Sequence, residues 1–165
     1  EQLFFLPLLG LSTATVSIVG QNYGAKQYQR VLETYKKGIK IGVIVLSLLG
    51  LIIFLTADMA MNLFTNNESV KQYGSDYLKI SALMFPAFPF FFIGNATFQG
   101  LKRAIIVMYM AIMRFVLMPL ILISIIFYQI GENYNLIFFS LAAMHWIIGI
   151  SYYYYCNKKY KKILN

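Results

Sequence analysis

The sequence predicts an all-α polytopic membrane protein with five transmembrane helices, and three observations carry that prediction. First, 59% of its 165 residues are hydrophobic and only 12% are charged, with a mean hydropathy of +0.65, whereas soluble domains carry about 25% charged residues. The 14 basic and 6 acidic side chains cannot cover a water-facing surface of this size, so lipid must replace water over much of it. Second, the apolar residues form long windows, and the 14 Phe and 13 Tyr exclude a disordered chain. Third, the basic residues cluster between those windows. The single cysteine, Cys156, excludes a disulfide framework and a multi-cysteine metal site.

A membrane crossing takes about 20 apolar residues, within a range of about 17 to 25. Windows without acidic or basic residues run over 3–19, 41–57, 80–101 and 136–156, and a further window, 104–130, contains one charge, Arg114. In the first span Ser12, Thr13, Thr15 and Ser17 mark a face packed on other helices. No base or oxyanion site accompanies them, so they form no nucleophile set. Between the first two spans, 24–40 places Tyr28, Val31, Leu32, Tyr35 and Ile39 at helical spacing, opposite Lys26, Gln29, Arg30, Glu33, Lys36 and Lys37. That pattern is an amphipathic helix, lying at the interface or leading straight into the second span.

Before the third span, Thr65-Asn66-Asn67-Glu68 has the form of a capping box, from which a helix continues through Val70, Tyr73 and Tyr77. Pro86 and Pro89, followed by Gly94 and Asn95, interrupt helical hydrogen bonding; they read as a hinge or as ordinary membrane-helix irregularity. Residues 131–135 form a short turn into the last span. There, Tyr152 to Tyr155 fit an interfacial aromatic belt.

Orientation follows from lysine and arginine. Eleven of them (Lys26, Arg30, Lys36, Lys37, Lys40, Lys102, Arg103, Lys158, Lys159, Lys161 and Lys162) fall on one side, and only Lys71 and Lys79 on the other. The positive-inside rule puts the first group and the C-terminus in the cytoplasm, and Glu1 outside. The chain begins at Glu1 and enters its first helix at once, which reads as the tail of something longer.

At Gly20-Gln21-Asn22-Tyr23-Gly24-Ala25, followed by Gln27 to Val31, the sequence resembles the multidrug and toxic-compound extrusion (MATE) family, with its cytoplasmic GQ-x-x-GA turn and basic amphipathic helix. Leu63 to Val70, Tyr77 to Ile80, Phe85-Pro86, Phe98 to Lys102, and Arg114 with Pro119 fit the same pattern in order. The resemblance implies a twelve-helix, two-lobed secondary antiporter that exports cationic or amphipathic small molecules in exchange for Na⁺ or H⁺. This chain then supplies helices eight to twelve, an incomplete C-terminal lobe, and the remaining seven N-terminal helices are its partner. The expected location is a prokaryotic plasma membrane, the bilayer is the other partner, and neither enzyme activity, cofactor, metal nor nucleic acid is implied. Alternatives are a lipid-linked saccharide flippase of the same superfamily and a five-span assembly protein without a substrate. One departure from the family stands out: Ile80 to Leu101 holds no Asp or Glu, so no coupling-ion residue carries over.

The candidate residues each have two readings. Arg114, a charge within a span, either shapes a transport path or pairs with a carboxylate from absent helices, or it clamps backbone carbonyls loosened near Pro119. Asn95, Thr97 and Gln99 line a cavity or bind neighbouring helices. Pro86, Pro89 and Pro119 are hinge candidates. His145 relays protons or is fixed by a hydrogen bond to a neighbouring helix. Gly20 and Gly24 lack the Gly-Lys-Ser/Thr ending of a phosphate loop.

Overall fold

A computed structural model describes residues 5–129 and 134–164 as a helical bundle without strands. The first helix, α1 (Leu6–Gly24), carries Pro7 in its first turn, where the missing N–H leaves no bond unmade. Its end is a Schellman turn: Gln27 N–H donates to the Asn22 carbonyl (2.8 Å) and Lys26 N–H to the Tyr23 carbonyl (3.0 Å). Lys26 takes the left-handed conformation at φ 58°, so a lysine, not Gly20 or Gly24, supplies the unusual backbone of the family turn. The expected amphipathic segment and second span form one continuous helix, α2 (Tyr28–Phe64). Val31, Tyr35 and Ile39 are buried along it, and Arg30, Lys36, Lys37 and Lys40 are exposed. The amphipathic helix leads straight into the span.

Thr65 closes α2, its N–H donating to the Met61 carbonyl, which moves the next helix start. Asn67, not Thr65, is the N-cap: its Oδ1 accepts from Ser69 N–H (3.1 Å) and Val70 N–H (3.3 Å). The expected capping box is therefore replaced by an asparagine cap on α3 (Glu68–Met84), because Thr65 is already engaged in ending α2. A 3₁₀ turn, Phe85–Ala87, separates α3 from α4 (Phe88–Gly100). Pro86 brings no N–H to that turn, and Trp146 Nε1–H donates to the adjacent Leu83 carbonyl (2.9 Å). The end of α4 repeats the end of α1: Arg103 N–H donates to the Phe98 carbonyl, Lys102 N–H to the Gln99 carbonyl, and Lys102 has φ 58°.

The next rod is α5 (Ala104–Ile112), a π turn over Met113–Leu117, and α6 (Met118–Gln129). Within the turn Met118 N–H reaches back five residues to the Met113 carbonyl. Pro119 explains the wider turn, since in a regular helix its ring would strike the carbonyl four residues earlier. The last helix is α7 (Tyr134–Leu164). The start of the expected first span, its outward-placed Glu1, the end of the fourth span at Ile130 and the turn at 131–133 lie outside the described residues.

Among the described residues, four helical stretches are long and apolar enough to cross a membrane: Tyr28–Phe64, Glu68–Gly100, Ala104–Ser124 and Leu136–Ile163. At the centre of the bundle is α4, packed against α1, α2, α5 and α7. Outside, α2 presents Ile41, Ile44, Leu48, Leu51, Leu55, Met59 and Leu63 as an exposed apolar stripe, a surface suited to hydrocarbon rather than water. Of the polar residues on α1, Thr15 is buried and Ser12 Oγ reaches the Phe92 carbonyl of α4 (3.5 Å). Thr13 and Ser17 are exposed, so the four do not share one packed face as expected; the helical turn puts them on different sides.

Candidate functional site

The π turn brings Arg114 into the bundle, where it is 9% exposed. Its guanidinium lies over three phenyl faces, Phe91 at 4.2 Å, Phe88 at 5.1 Å and Phe115 at 5.6 Å. The first two project from α4, so cation–π attraction ties the fourth rod to the central helix. Among the described residues no carboxylate forms an ion pair with Arg114 and no backbone carbonyl takes its N–H groups; the carboxylates of Glu33, Glu68 and Asp58 pair instead with Lys37, Lys71 and Lys79. The expected carbonyl clamp near Pro119 is not formed, because the phenyl rings of α4 take that place. Beside Arg114 lies a cavity of about 190 Å³, lined by Phe91, Met110, Met113, Met118, Ile148, Ser151, Tyr152 and Tyr155.

The other expected pathway residues do not gather around Arg114. Asn95 is buried, and its Oδ1 accepts from Tyr152 Oη (2.6 Å), a bond between α4 and α7. Thr97 is fully buried and donates to the Ile93 carbonyl of its own helix (2.8 Å). Gln99 faces outward. His145 Nδ1–H meets the Leu141 carbonyl of its own helix (2.9 Å), not a neighbouring one, and its ring lies 5.2 Å from that of Phe88. It borders a separate cavity of about 230 Å³ with Tyr77, Ser81 and Phe85. Phe88 is thus a neighbour of both Arg114 and His145. Of the hinge candidates, Pro86 lies in the 3₁₀ turn, Pro89 begins α4, and Pro119 follows the π turn.

Two features of the site were missed in the sequence. The first is a buried cluster of α2, α4 and α7. Tyr160 Oη donates to the Gly94 carbonyl (2.8 Å), Tyr152 bonds Asn95, and Cys156 is fully buried beside them. Tyr152 is therefore a core residue rather than a member of the belt; Tyr154, 68% exposed, fits the belt. Tyr35 packs edge-on against Tyr160 (4.8 Å). Cys156 is an electrostatic neighbour of the Tyr35 hydroxyl, yet that buried hydroxyl has no hydrogen bond of normal geometry.

The second missed feature is a glycine seam on α2. A Cβ on Gly38 would meet Ile93 at 3.0 Å, one on Gly42 would meet Pro89 at 2.8 Å, and one on Gly50 would meet the Ala82 carbonyl at 2.8 Å. Small residues at spacings of four and eight let α2 lie directly on the broken α3–α4 rod. The signal was present as Gly38-x₃-Gly42-x₇-Gly50.

The MatE family model matches residues 1–125. The chain is similar to the probable multidrug resistance protein NorM of Thermotoga maritima, with 28% identity over 103 residues, 62% of this chain and 21% of that protein. Its fold is similar to an inward-facing conformation of a multidrug resistance MATE family transporter of the MOP superfamily (TM-score 0.90, 21% identity, 98% of this chain and 38% of that one). An outward-facing conformation of such a transporter matches with TM-score 0.89 and 20% identity over 98% of this chain and 36% of that one. So does a MOP superfamily transporter from Pyrococcus furiosus, described as having a binding pocket of reverse polarity (TM-score 0.91, 22% identity, 99% of this chain and 37% of that one). The chain spans between about a fifth and two-fifths of the length of these relatives.

Proposed function

Since this chain belongs to the MatE family of transporters, matched over residues 1–125, we propose that it forms helices eight to twelve of a twelve-helix antiporter exporting cationic or amphipathic compounds. The exchange ion is Na⁺ or H⁺, the membrane is a prokaryotic plasma membrane, and the lysine-rich C-terminus is cytoplasmic. The observation that supports this reading best is the match of nearly the whole chain to neighbours described as inward-facing and as outward-facing, with TM-scores of 0.90 and 0.89. Helices that keep one arrangement in both forms move as a unit, which is how alternating access works when one lobe rocks against another.

The packing supports such a unit. Polar bonds from Tyr152 and Tyr160 hold α7 to α4, the glycine seam holds α2 to α4, and cation–π contacts hold the π turn to α4. No bond chemistry is involved: the compound binds between lobes, and the ion gradient biases which side is open. Because Ile80 to Leu101 lacks Asp and Glu, the carboxylate for the exchange ion comes from elsewhere in the full protein. The test is export of a cationic dye from vesicles containing the complete protein, under an imposed Na⁺ or proton gradient. Export that collapses with the matching ionophore supports the reading. Export indifferent to both gradients, or net export by residues 1–165 alone, overturns it.

A further inference from the structure

Arg114 is the only charged side chain buried in the interior among the described residues, and the partners it has there do not exhaust its chemistry. A guanidinium carries five N–H donors in a planar fork. Its three phenyl neighbours attract the charge through their faces, but a ring face is only a weak acceptor for an N–H group. The fork is thus provided with electrostatic support and left without an oxygen acceptor. Arg114 also lies ten residues into its rod, which begins at Ala104. At about 1.5 Å per residue that is about 15 Å along the axis, near the middle of the hydrocarbon. Water is scarce there, so an acceptor must come from protein or from a ligand.

The cavity that Arg114 borders has a volume of about 190 Å³, room for a head group and part of a chain. Met110, Met113 and Met118 form much of its wall, and methionine adapts its shape to irregular apolar ligands. Ser151 adds one hydroxyl. No Asp or Glu is among the lining residues, so the cavity repels cations and has nothing to neutralise Arg114. Tyr152, whose hydroxyl is turned to Asn95, and Tyr155 complete the lining, and a positive fork in a mainly apolar, methionine-lined space without a carboxylate selects a ligand with an oxyanion at one end and hydrocarbon at the other.

We propose that this cavity, which opens at the surface between α4, the α5–α6 rod and α7, binds an anionic amphiphile whose carboxylate or phosphate accepts the N–H groups of Arg114, its apolar part lying along the methionines. Bidentate pairing of a guanidinium with a carboxylate or phosphate is the strong form of this bond. The site goes beyond the export reading and does not depend on it, because it lies within one lobe whichever compound the whole protein moves.

The test measures binding to the complete protein in a neutral detergent, using dodecanoate, dodecyl phosphate, dodecanol and inorganic phosphate as probes. Dodecanoate and dodecyl phosphate are expected to bind at least about tenfold more tightly than dodecanol, the factor that one charge-assisted hydrogen bond supplies. Arg114→Gln is expected to abolish that preference while leaving dodecanol binding unchanged. Met118→Phe, which narrows the cavity and keeps the charge, is expected to weaken dodecanoate by a similar factor; it serves if the arginine variant fails to fold. Equal binding of dodecanoate and dodecanol overturns the site, as it would if a carboxylate elsewhere in the protein already neutralised Arg114. A preference that survives Arg114→Gln overturns it too. Inorganic phosphate binding as tightly as dodecyl phosphate overturns the amphiphile in favour of a free anion. Loss of dye export with the binding preference intact counts against the export reading alone.

Discussion

Replacing Gly100 with alanine is expected to push α1 away from α4. The added Cβ would lie 2.7 Å from Val19 Cγ1 and 2.8 Å from both Val19 Cβ and the Val16 carbonyl oxygen. Two of those three atoms are backbone or directly attached to it, so rotating a side chain does not relieve them. Overpacking of this kind costs about 1–3 kcal/mol, offset by about 0.5–1 kcal/mol that alanine gains over glycine within a helix. The net loss is centred on about 1 kcal/mol, within a range of about 0–2.5 kcal/mol. Gly20 and Gly24, the glycines of the family turn, give the opposite expectation. A Cβ on Gly20 would rest 3.7 Å from the Gly100 carbonyl, in ordinary contact, and one on Gly24 meets nothing within 4 Å. Both alanine variants are expected to be neutral or more stable by up to about 1 kcal/mol. The assay is the thermal midpoint of the purified complete protein in detergent, by fluorescence-detected gel filtration after heating. A Gly100→Ala midpoint equal to wild type, or a Gly24→Ala midpoint as low as that of Gly100→Ala, would refute the close approach of α1 and α4.

Other substitutions probe the rest of the bundle by the same measurement. Tyr160→Phe removes a buried hydrogen bond to the Gly94 carbonyl and is expected to cost about 1 kcal/mol. Tyr35→Phe removes a buried hydroxyl without a normal hydrogen bond and is expected to stabilise by a comparable amount; a drop in midpoint would show that the hydroxyl is bonded after all. Lys26→Gly and Lys102→Gly relieve a left-handed conformation whose steric cost is about 1–2 kcal/mol, so each should raise the midpoint, and two unchanged midpoints would count against those turns. Asp58→Asn breaks the Lys79 ion pair, but with the Asp58 side chain 68% exposed solvent screens the pair, and the midpoint should hardly move.

Long-range order in the sequence was carried by charge and hydropathy, and those parts of the fold were legible. The apolar face Val31, Tyr35 and Ile39 is the buried face of α2, and the described residues of the uncharged windows are α-helical apart from Phe5, the 3₁₀ turn Phe85–Ala87 and Leu101. Burial of Arg114 could be read from its position in a window; its phenyl partners could not, because Phe88 and Phe91 meet it only once α4 and the π turn are side by side. The π turn itself is invisible to a hydropathy window, which one residue in a wider turn leaves apolar. Asn67 prevailed over Thr65 because the end of α2 decides which residue is free to cap α3. Tyr152 looked interfacial by its place in a run of tyrosines, and only its bond to Asn95, 57 residues away, makes it part of the core.

Helices leave the ribosome in sequence order, so α1 and α2 are complete before the central helix that they both pack on exists. Until α4 follows, the glycine seam of α2 and the polar residues of α1 lack the helix that they pack on. The hydroxyls of Thr13 and Thr15 are bonded to carbonyls of their own helix, Leu9 (3.0 Å) and Leu11 (2.8 Å). Such bonds need no neighbour, so both threonines can wait in hydrocarbon without an unmet donor. The glycines likewise expose no side chain that must be sheltered. Threonines bonded within their own helix, and a later helix that takes up the Ser12 hydroxyl through the Phe92 carbonyl, make assembly tolerant of the delay that the gene order imposes.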